Sequence, residues 1–320
     1  MDRGQRLGVG SLSRGRPAPE RDVGRWRWAW GLVVVFVPAV WGYNWVVMKE
    51  GLAYSGPFEF GAWRFLLGAA VLLVAMAVSH RPLRVSSVSG VAWIGILQTA
   101  ANTAFGLLAL AGGPAGRSAI LAYAMPFWVL VMSWPLLSER PDRLQWIATG
   151  GALLGIVLIF FSNTTHWRVD AAVFAILAGL AMAGGAVLTR RLLSHEGCDP
   201  LALTTWQMLA GGVVLAIAAV VVPERPIRWT PTFLLIMAYE VLPATAMAWL
   251  FWTAMLGRLD AGVASCFLLA TPLIGLVTSA VQLGERPAPL EAAGMALILA
   301  GLVVVGPMAL RESRSRSFRG

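Results

Sequence analysis

The chain has 320 residues, of which 58% are hydrophobic and only 13% charged, and its mean hydropathy is +0.71. A soluble domain of this length would need far more polar surface to cover its core, so the composition excludes that class and points to a protein dissolved in lipid. The net charge of +9 would suggest nucleic acid in a soluble protein, but here it concentrates in the tails and alternate loops. It therefore reads as a topology signal, and no nucleic-acid partner is expected.

Residues 1–27 carry seven arginines among Gly, Ser and Pro without apolar periodicity, and read as a basic cytoplasmic tail. The apolar stretch that follows is too long for a signal-peptide core and lacks a small-residue cleavage site, so it is expected to remain as a helix. Ten spans are predicted, at roughly 28–49, 57–79, 88–110, 113–137, 143–162, 169–190, 199–222, 230–255, 260–283 and 288–309. Each is close to the ~20 residues that cross hydrocarbon as helix, the form lipid demands because it leaves backbone groups no other partner. The links are short and carry breakers such as Ser55-Gly56-Pro57, Gly112-Gly113-Pro114 and Arg286-Pro287, leaving no room for a soluble domain. Residues 311–320 form a second basic tail, Arg311 to Arg319, suited to anionic lipid.

With the N-terminus inside, the cytoplasmic side holds 18 Lys and Arg residues and the outer side 6. The outer six are Lys49, Arg117, Arg168, Arg225, Arg228 and Arg286. The bias predicts a multi-pass protein of the plasma (inner) membrane with both termini cytoplasmic. Cys198 and Cys266 fit no metal or redox spacing, and no metal or cofactor is expected.

The chain repeats itself. A shift of 143 carries Pro57, Trp63 and Gly68 onto Pro200, Trp206 and Gly211. A shift of 146 carries Ala115-Gly116 onto Ala261-Gly262, Pro126 onto Pro272, Glu139-Arg140-Pro141 onto Glu285-Arg286-Pro287, and Gly155 onto Gly301. Two halves are predicted, 28–163 and 164–310, each with five spans. An odd number of spans inverts the second half in the membrane, the architecture of secondary transporters that alternate around a midplane site.

Trp41-Gly42-Tyr43-Asn44 followed by Lys49, Pro57 and Arg64-Phe65 resembles the opening of EamA-type members of the drug/metabolite transporter superfamily. The series Pro126, Glu139-Arg140, Gly150 and Gly155 is similar to the end of one such repeat, and Pro272, Glu285-Arg286 and Gly301 to its second copy. Arg190-Arg191 and Trp206-Gln207-Met208 also look like the family's second repeat, and the resemblance spans about residues 41–307. It implies an all-α fold of ten transmembrane helices around a central cavity, and export of amino acids or related metabolites, with YddG-type exporters of aromatic and neutral amino acids in the same superfamily. Gln207 stands where the first half has Arg64, and Asn44 and Lys49 have no counterpart in clear register.

Several polar and aromatic residues inside the spans are candidates for substrate binding. Trp41, Asn44, Trp45 and Met48 fall at i, i+3, i+4 and i+7, one face of the first helix. They either line a cavity or pack helices together, with Asn44 bonding to a neighbour. Gln98 and Asn102 make a second polar stripe open to the same two readings. Arg64 lies a third of the way into its span, where an unpaired charge costs at least ~2.5 kcal/mol, so it needs a carboxylate. Glu59, Glu240 or a substrate could supply it; the resemblance implies a structural or gating ion pair.

Glu240, placed near the inner third of the eighth span, is a proton-coupling candidate, or a surface group if that span is shorter. Thr245, Trp249 and Thr253 follow at steps of four on one expected face. Tyr123 precedes Pro126 by three, so a kink there would present its hydroxyl to a cavity. Pro38, Pro126, Pro243 and Pro272 fall inside spans and mark expected kinks. Gly151 and Gly155 in the fifth helix, with Ala292, Ala296 and Ala300 in the tenth, suggest close packing of those two helices within a monomer.

An intramembrane enzyme is the main rival class, but His80, His166 and His195 all fall at loops and no paired catalytic set lies in the spans. No Gly-x-x-x-x-Gly-Lys-Ser/Thr loop for ATP is present. A channel would require rings of like groups, which the chain does not offer. The reading is a secondary carrier of small polar metabolites. Amino acids are the first expected substrate, with drugs, nucleosides and sugars as alternatives. Its cavity is expected between helices 1, 3, 4, 6, 8 and 9, with helices 5 and 10 as a rigid wall.

Overall fold

The structure, a computed structural model, describes residues 21–81, 84–137, 143–162, 169–196, 198–258 and 270–301, with the isolated positions 264, 268 and 303. Every regular element among these residues is helical. In chain order they are α1 (Arg21–Gly51), α2 (Pro57–Val78), α3 (Val88–Gly112), α4 (Ala115–Leu136), α5 (Arg143–Phe161), α6 (Val169–Glu196), α7 (Pro200–Val221), α8 (Pro231–Arg258), α9 (Ala270–Gln282) and α10 (Pro289–Gly301). Seven of them, α2 to α8, are long and apolar enough to cross a bilayer, while α9 and α10 are shorter apolar helices. The protein is a multi-pass membrane protein.

Sequence chemistry sets the helix starts. Pro57, Pro200 and Pro231 stand in the first turns of α2, α7 and α8, where the missing N–H has no partner to lose. The Asp199 carboxylate accepts from the Leu201 and Ala202 amides, and the Thr230 hydroxyl from Phe233 N–H. Pro126 marks a break instead of a bend within a continuous helix. The chain turns at Tyr123 and Ala124 and resumes at Met125, so the proline opens the second segment of α4. Pro272 likewise falls in the first turn of α9, and Pro38 lies inside α1.

Two helices widen into π turns, α3 over Gly95–Ala101 and α8 over Glu240–Met247. A π turn carries an extra residue and rotates the face that follows it. On α8 it separates Thr245, inside the turn, from Trp249 and Thr253, which keep the expected spacing on the regular helix that follows. Thr245, Trp249 and Thr253 do not share a common environment: Thr245 bonds to α2, Trp249 reaches a cavity, and Thr253 is buried without a partner among the described residues. Pro243 sits within the widened turn.

The most extensive contact between helices runs along α2 and α7. Both ends of this pair are tied. At one end Glu224 accepts from the Phe58 and Glu59 amides at 3.0 and 2.9 Å, in the first turn of α2. At the other, Arg81 reaches Asp199, the cap of α7, at 3.2 Å.

Helices α5 and α10 pack at a reciprocal glycine contact. A Cβ on Gly155 would stand 2.5 Å from the Gly294 carbonyl oxygen, and one on Gly294 2.5 Å from that of Gly155. The expected partners on these helices are therefore corrected: Ala292, Ala296 and Ala300 are exposed, and a Cβ on Gly151 would meet nothing within 4 Å.

Arg117 is a second correction. It is not an outer-loop charge but a buried residue of α4, paired through its guanidinium with the equally buried Glu291 of α10. Pro114 already caps the helix, so Arg117 stands in its first turn and faces the bundle. The outer charge count is smaller by one. Glu139-Arg140-Pro141, Ala261-Gly262, His166 and Cys266 lie outside the described residues, as do the basic stretches 1–20 and 304–320.

Candidate functional site: a charged and aromatic cavity

A cavity of about 70 Å³ opens between α1, α2, α3, α4, α6 and α8. Helix α1 supplies its aromatic and polar face, Trp41, Asn44, Trp45 and Met48, the four residues spaced for one side of a helix. Asn102, Thr103 and Gly106 enter from α3, Tyr123 and Met125 from the broken part of α4, Met182 from α6 and Trp249 from α8. Arg64 comes from α2, a helix not expected to line the cavity, and none of the described α9 residues does so. The break at Tyr123 has a local cause: the chain leaves the helical path there, which turns that ring towards Trp45, at 6.3 Å between centroids.

Arg64 is 4% exposed, and Glu240 is fully buried behind it. Its Nη1 lies 3.0 Å from a Glu240 carboxylate oxygen and 3.1 Å from Met48 Sδ, and Nε donates to the Thr245 hydroxyl at 2.7 Å. Its Nη2 makes no bond to the described residues. Asn44, with its amide nitrogen turned to the carboxylate, donates to Glu240 at 3.1 and 3.2 Å. Of the two carboxylates the sequence offers, the structure selects Glu240, and burial removes the alternative that it lies at the surface.

The arrangement follows from electrostatics. Taking either ion from water costs several kcal/mol, which a paired geometry with further hydrogen bonds offsets. Thr245 and Asn44 provide those bonds, one to each partner. The wall is then formally neutral, yet it holds an N–H edge available for a carboxylate.

Aromatic rings close the sides. Trp41 meets Trp249 at 5.3 Å and Trp252 at 6.1 Å between centroids, and Phe65 meets Trp249 at 5.8 Å. Trp41 Nε1 donates to the Ala244 carbonyl at 2.9 Å, which fixes its ring across α8. Asn102 donates to the Ala178 carbonyl at 3.0 Å, so its own carbonyl is left as an acceptor.

Seven sequence candidates thus come together at the cavity: Trp41, Asn44, Trp45, Arg64, Asn102, Tyr123 and Trp249. Three do not line it. Glu240 stands behind Arg64; Gln98 is fully buried and accepts from the Thr189 hydroxyl at 3.0 Å; Thr253 is fully buried on α8. Sequence reasoning missed Thr103, Met125 and Met182 as lining residues, because an isolated Thr or Met in a span carries no signal of its own. No group of three or more His, Cys, Asp or Glu suited to a metal occurs among the described residues.

The EamA-like transporter family model matches this chain twice, over residues 29–161 and 170–306. A Salmonella typhimurium protein named "Probable amino-acid metabolite efflux pump" is 26% identical over 284 residues, covering 86% of this chain and 93% of its own. The Escherichia coli protein of the same name is 24% identical over the same shares of the two chains. An uncharacterized transporter of Bacillus subtilis, YwfM, is 28% identical over 289 residues, covering 86% of this chain and 93% of its own. A crystal structure 20% identical to the chain superposes with a TM-score of 0.66, covering 88% of this chain and 98% of that one, and so supports the fold. The two model matches take in nearly all of the sequence outside its tails, and the chain belongs to the EamA-like transporter family: it is a transporter and not an enzyme.

Proposed function

We propose that the protein exports small zwitterionic metabolites, first of all amino acids with neutral or aromatic side chains, by alternating access. In this reading ten transmembrane helices form two inverted five-helix halves, 28–163 and 164–310, in the plasma (inner) membrane, with both tails cytoplasmic. One observation carries the substrate class: a buried guanidinium with an N–H edge that no described residue takes lines a cavity walled by indoles. A substrate carboxylate binds Arg64 Nη2, the Asn102 carbonyl takes the ammonium group, and Trp41, Trp45, Trp249 and Tyr123 cover the side chain. The pairing with Glu240 keeps the empty site neutral, so a net-neutral zwitterion enters without adding charge to the bundle.

At about 70 Å³ the cavity is about half the ~150 Å³ that takes a benzene ring, so helices must part to admit a whole amino acid. That requirement fits a carrier better than an open pore. The outward direction rests on the efflux names of the relatives.

Counterflow in proteoliposomes preloaded with unlabelled amino acids tests the proposal. Uptake of labelled amino acids is expected to be accelerated and saturable. Arg64→Ala is expected to weaken it about 10-fold to 100-fold, the range for a lost hydrogen bond to a charged group. Absence of exchange with every amino acid, in protein shown to be folded, would send the search to nucleosides, sugars and drugs.

A further inference from the structure

The two halves contain the same helix joint, and only one copy is closed. The offset of 143 places Arg64 and Gly68 of α2 on Gln207 and Gly211 of α7, and the offset of 146 places Thr99 of α3 on Thr245 of α8. The structure joins these residues alike in both halves. A Cβ on Gly68 would stand 2.7 Å from Thr245 Cγ2, and one on Gly211 2.5 Å from Thr99 Cγ2. Each threonine lies within a π turn, and the two turns, Gly95–Ala101 and Glu240–Met247, coincide to within one residue under the same offset.

The hydrogen bonding differs. In one joint Arg64 Nε donates to the Thr245 hydroxyl at 2.7 Å. In the other, Gln207 and Thr99 are both fully buried, yet neither the Gln207 amide nor the Thr99 hydroxyl has a partner among the described residues. Gln98 next to Thr99 spends its carbonyl on Thr189, and its amide nitrogen has no partner among the described residues. The backbones are nevertheless in contact, since a Cβ on Gly95 would lie 2.8 Å from the Gln207 carbonyl oxygen. Buried polar groups without partners are uncommon and costly, and three side chains at one joint call for a cause.

We propose that Gln207 and Thr99 form the second hydrogen-bonding station of the transport cycle, open while Arg64–Thr245 is closed and closed in the opposite state. Inverted halves exchange conformations as the carrier turns over, so the joint made in one half is remade in the other. A carrier needs its two states close in free energy, and a bond lost at Arg64–Thr245 must be matched elsewhere. Gln207 is the residue that can match it, because a neutral amide donates to Thr99 without placing a second charge in the bundle. The proposal rests on the inverted-repeat reading and is independent of the substrate.

The test compares Thr99→Val with Thr245→Val, both close in shape to the parent residue, in protein with Cys198→Ser and Cys266→Ser. The cavity residue Thr103→Cys reports access, by the rates at which an impermeant maleimide reaches it from each face of sealed vesicles. Thr99→Val is expected to raise Tm by about 1–3 °C by removing an unpaired hydroxyl from this state. It is also expected to shift the ratio of labelling rates about fivefold towards the face this state opens, the population change one hydrogen bond carries. Thr245→Val is expected to lower Tm and shift the ratio the other way. Equal shifts, or no shift, from the two variants would overturn the proposal. Labelling from one face alone in the parent would overturn the alternating-access reading and this proposal with it.

Discussion

The described residues include two buried arginine–glutamate pairs, and they stand in different surroundings. Arg64–Glu240 joins α2 to α8 at the wall of the cavity, and Arg64 Nη2 makes no bond to the described residues. Arg117–Glu291 joins α4 to α10 away from the cavity, where Glu291 also accepts from the Ala288 amide at the start of α10. Both pairs meet the same need, since a buried charge without a partner is costly. A buried ion pair therefore does not mark a binding site on its own. What distinguishes Arg64 is a spare donor beside a space with aromatic walls.

The largest effects should come from breaking either pair. Arg64→Ala and Arg117→Ala each leave a carboxylate stranded in the bundle, at about 3–5 kcal/mol, read as loss of folded protein on thermal unfolding. A smaller effect is expected at the α5–α10 contact. Gly155→Ala or Gly294→Ala forces two backbones apart, at about 1–3 kcal/mol, with transport by the surviving protein retained. Glu285, which accepts from the Ala115 and Gly116 amides at 2.8 and 3.0 Å, acts as an N-cap supplied from another element. Glu285→Gln is expected to cost about 1 kcal/mol in the same assay. The smallest change should follow Arg81→Ala, because that arginine is 58% exposed and its pair with Asp199 is screened by water. A Tm shift there beyond what ~1 kcal/mol produces would show that the tie at this end of α2 and α7 is stronger than a surface pair.

These comparisons also show what the sequence could and could not reveal. A lone arginine inside an apolar span requires a carboxylate, so the pairing of Arg64 was legible to within Glu59, Glu240 or a substrate. Arg117 and Glu291 carried the same signal. Each falls a few residues inside an apolar span, at similar depth in the spans 113–137 and 288–309, yet Gly113-Pro114 just before it placed Arg117 with the outer-loop charges.

The face of α1 was readable because a regular helix conserves its period through Trp41, Asn44, Trp45 and Met48. The face of α8 was not, since a π turn shifts the period and nothing local in Glu240–Met247 or Gly95–Ala101 announces one. Gly155 was identified as a packing residue, but its partner proved to be Gly294 and not the neighbouring alanines. Which small residue meets another depends on helix rotation, a property of the whole bundle.

The most direct test exchanges each ion pair for apolar residues of similar volume and measures amino-acid counterflow. Replacing a whole buried pair leaves no stranded charge, so Arg64→Met with Glu240→Leu and Arg117→Met with Glu291→Leu should both yield folded protein. Counterflow is expected to fall about 10-fold to 100-fold in the first and persist in the second. Persistence in the first variant, or equal loss in both, would contradict the assignment of Arg64 to the substrate.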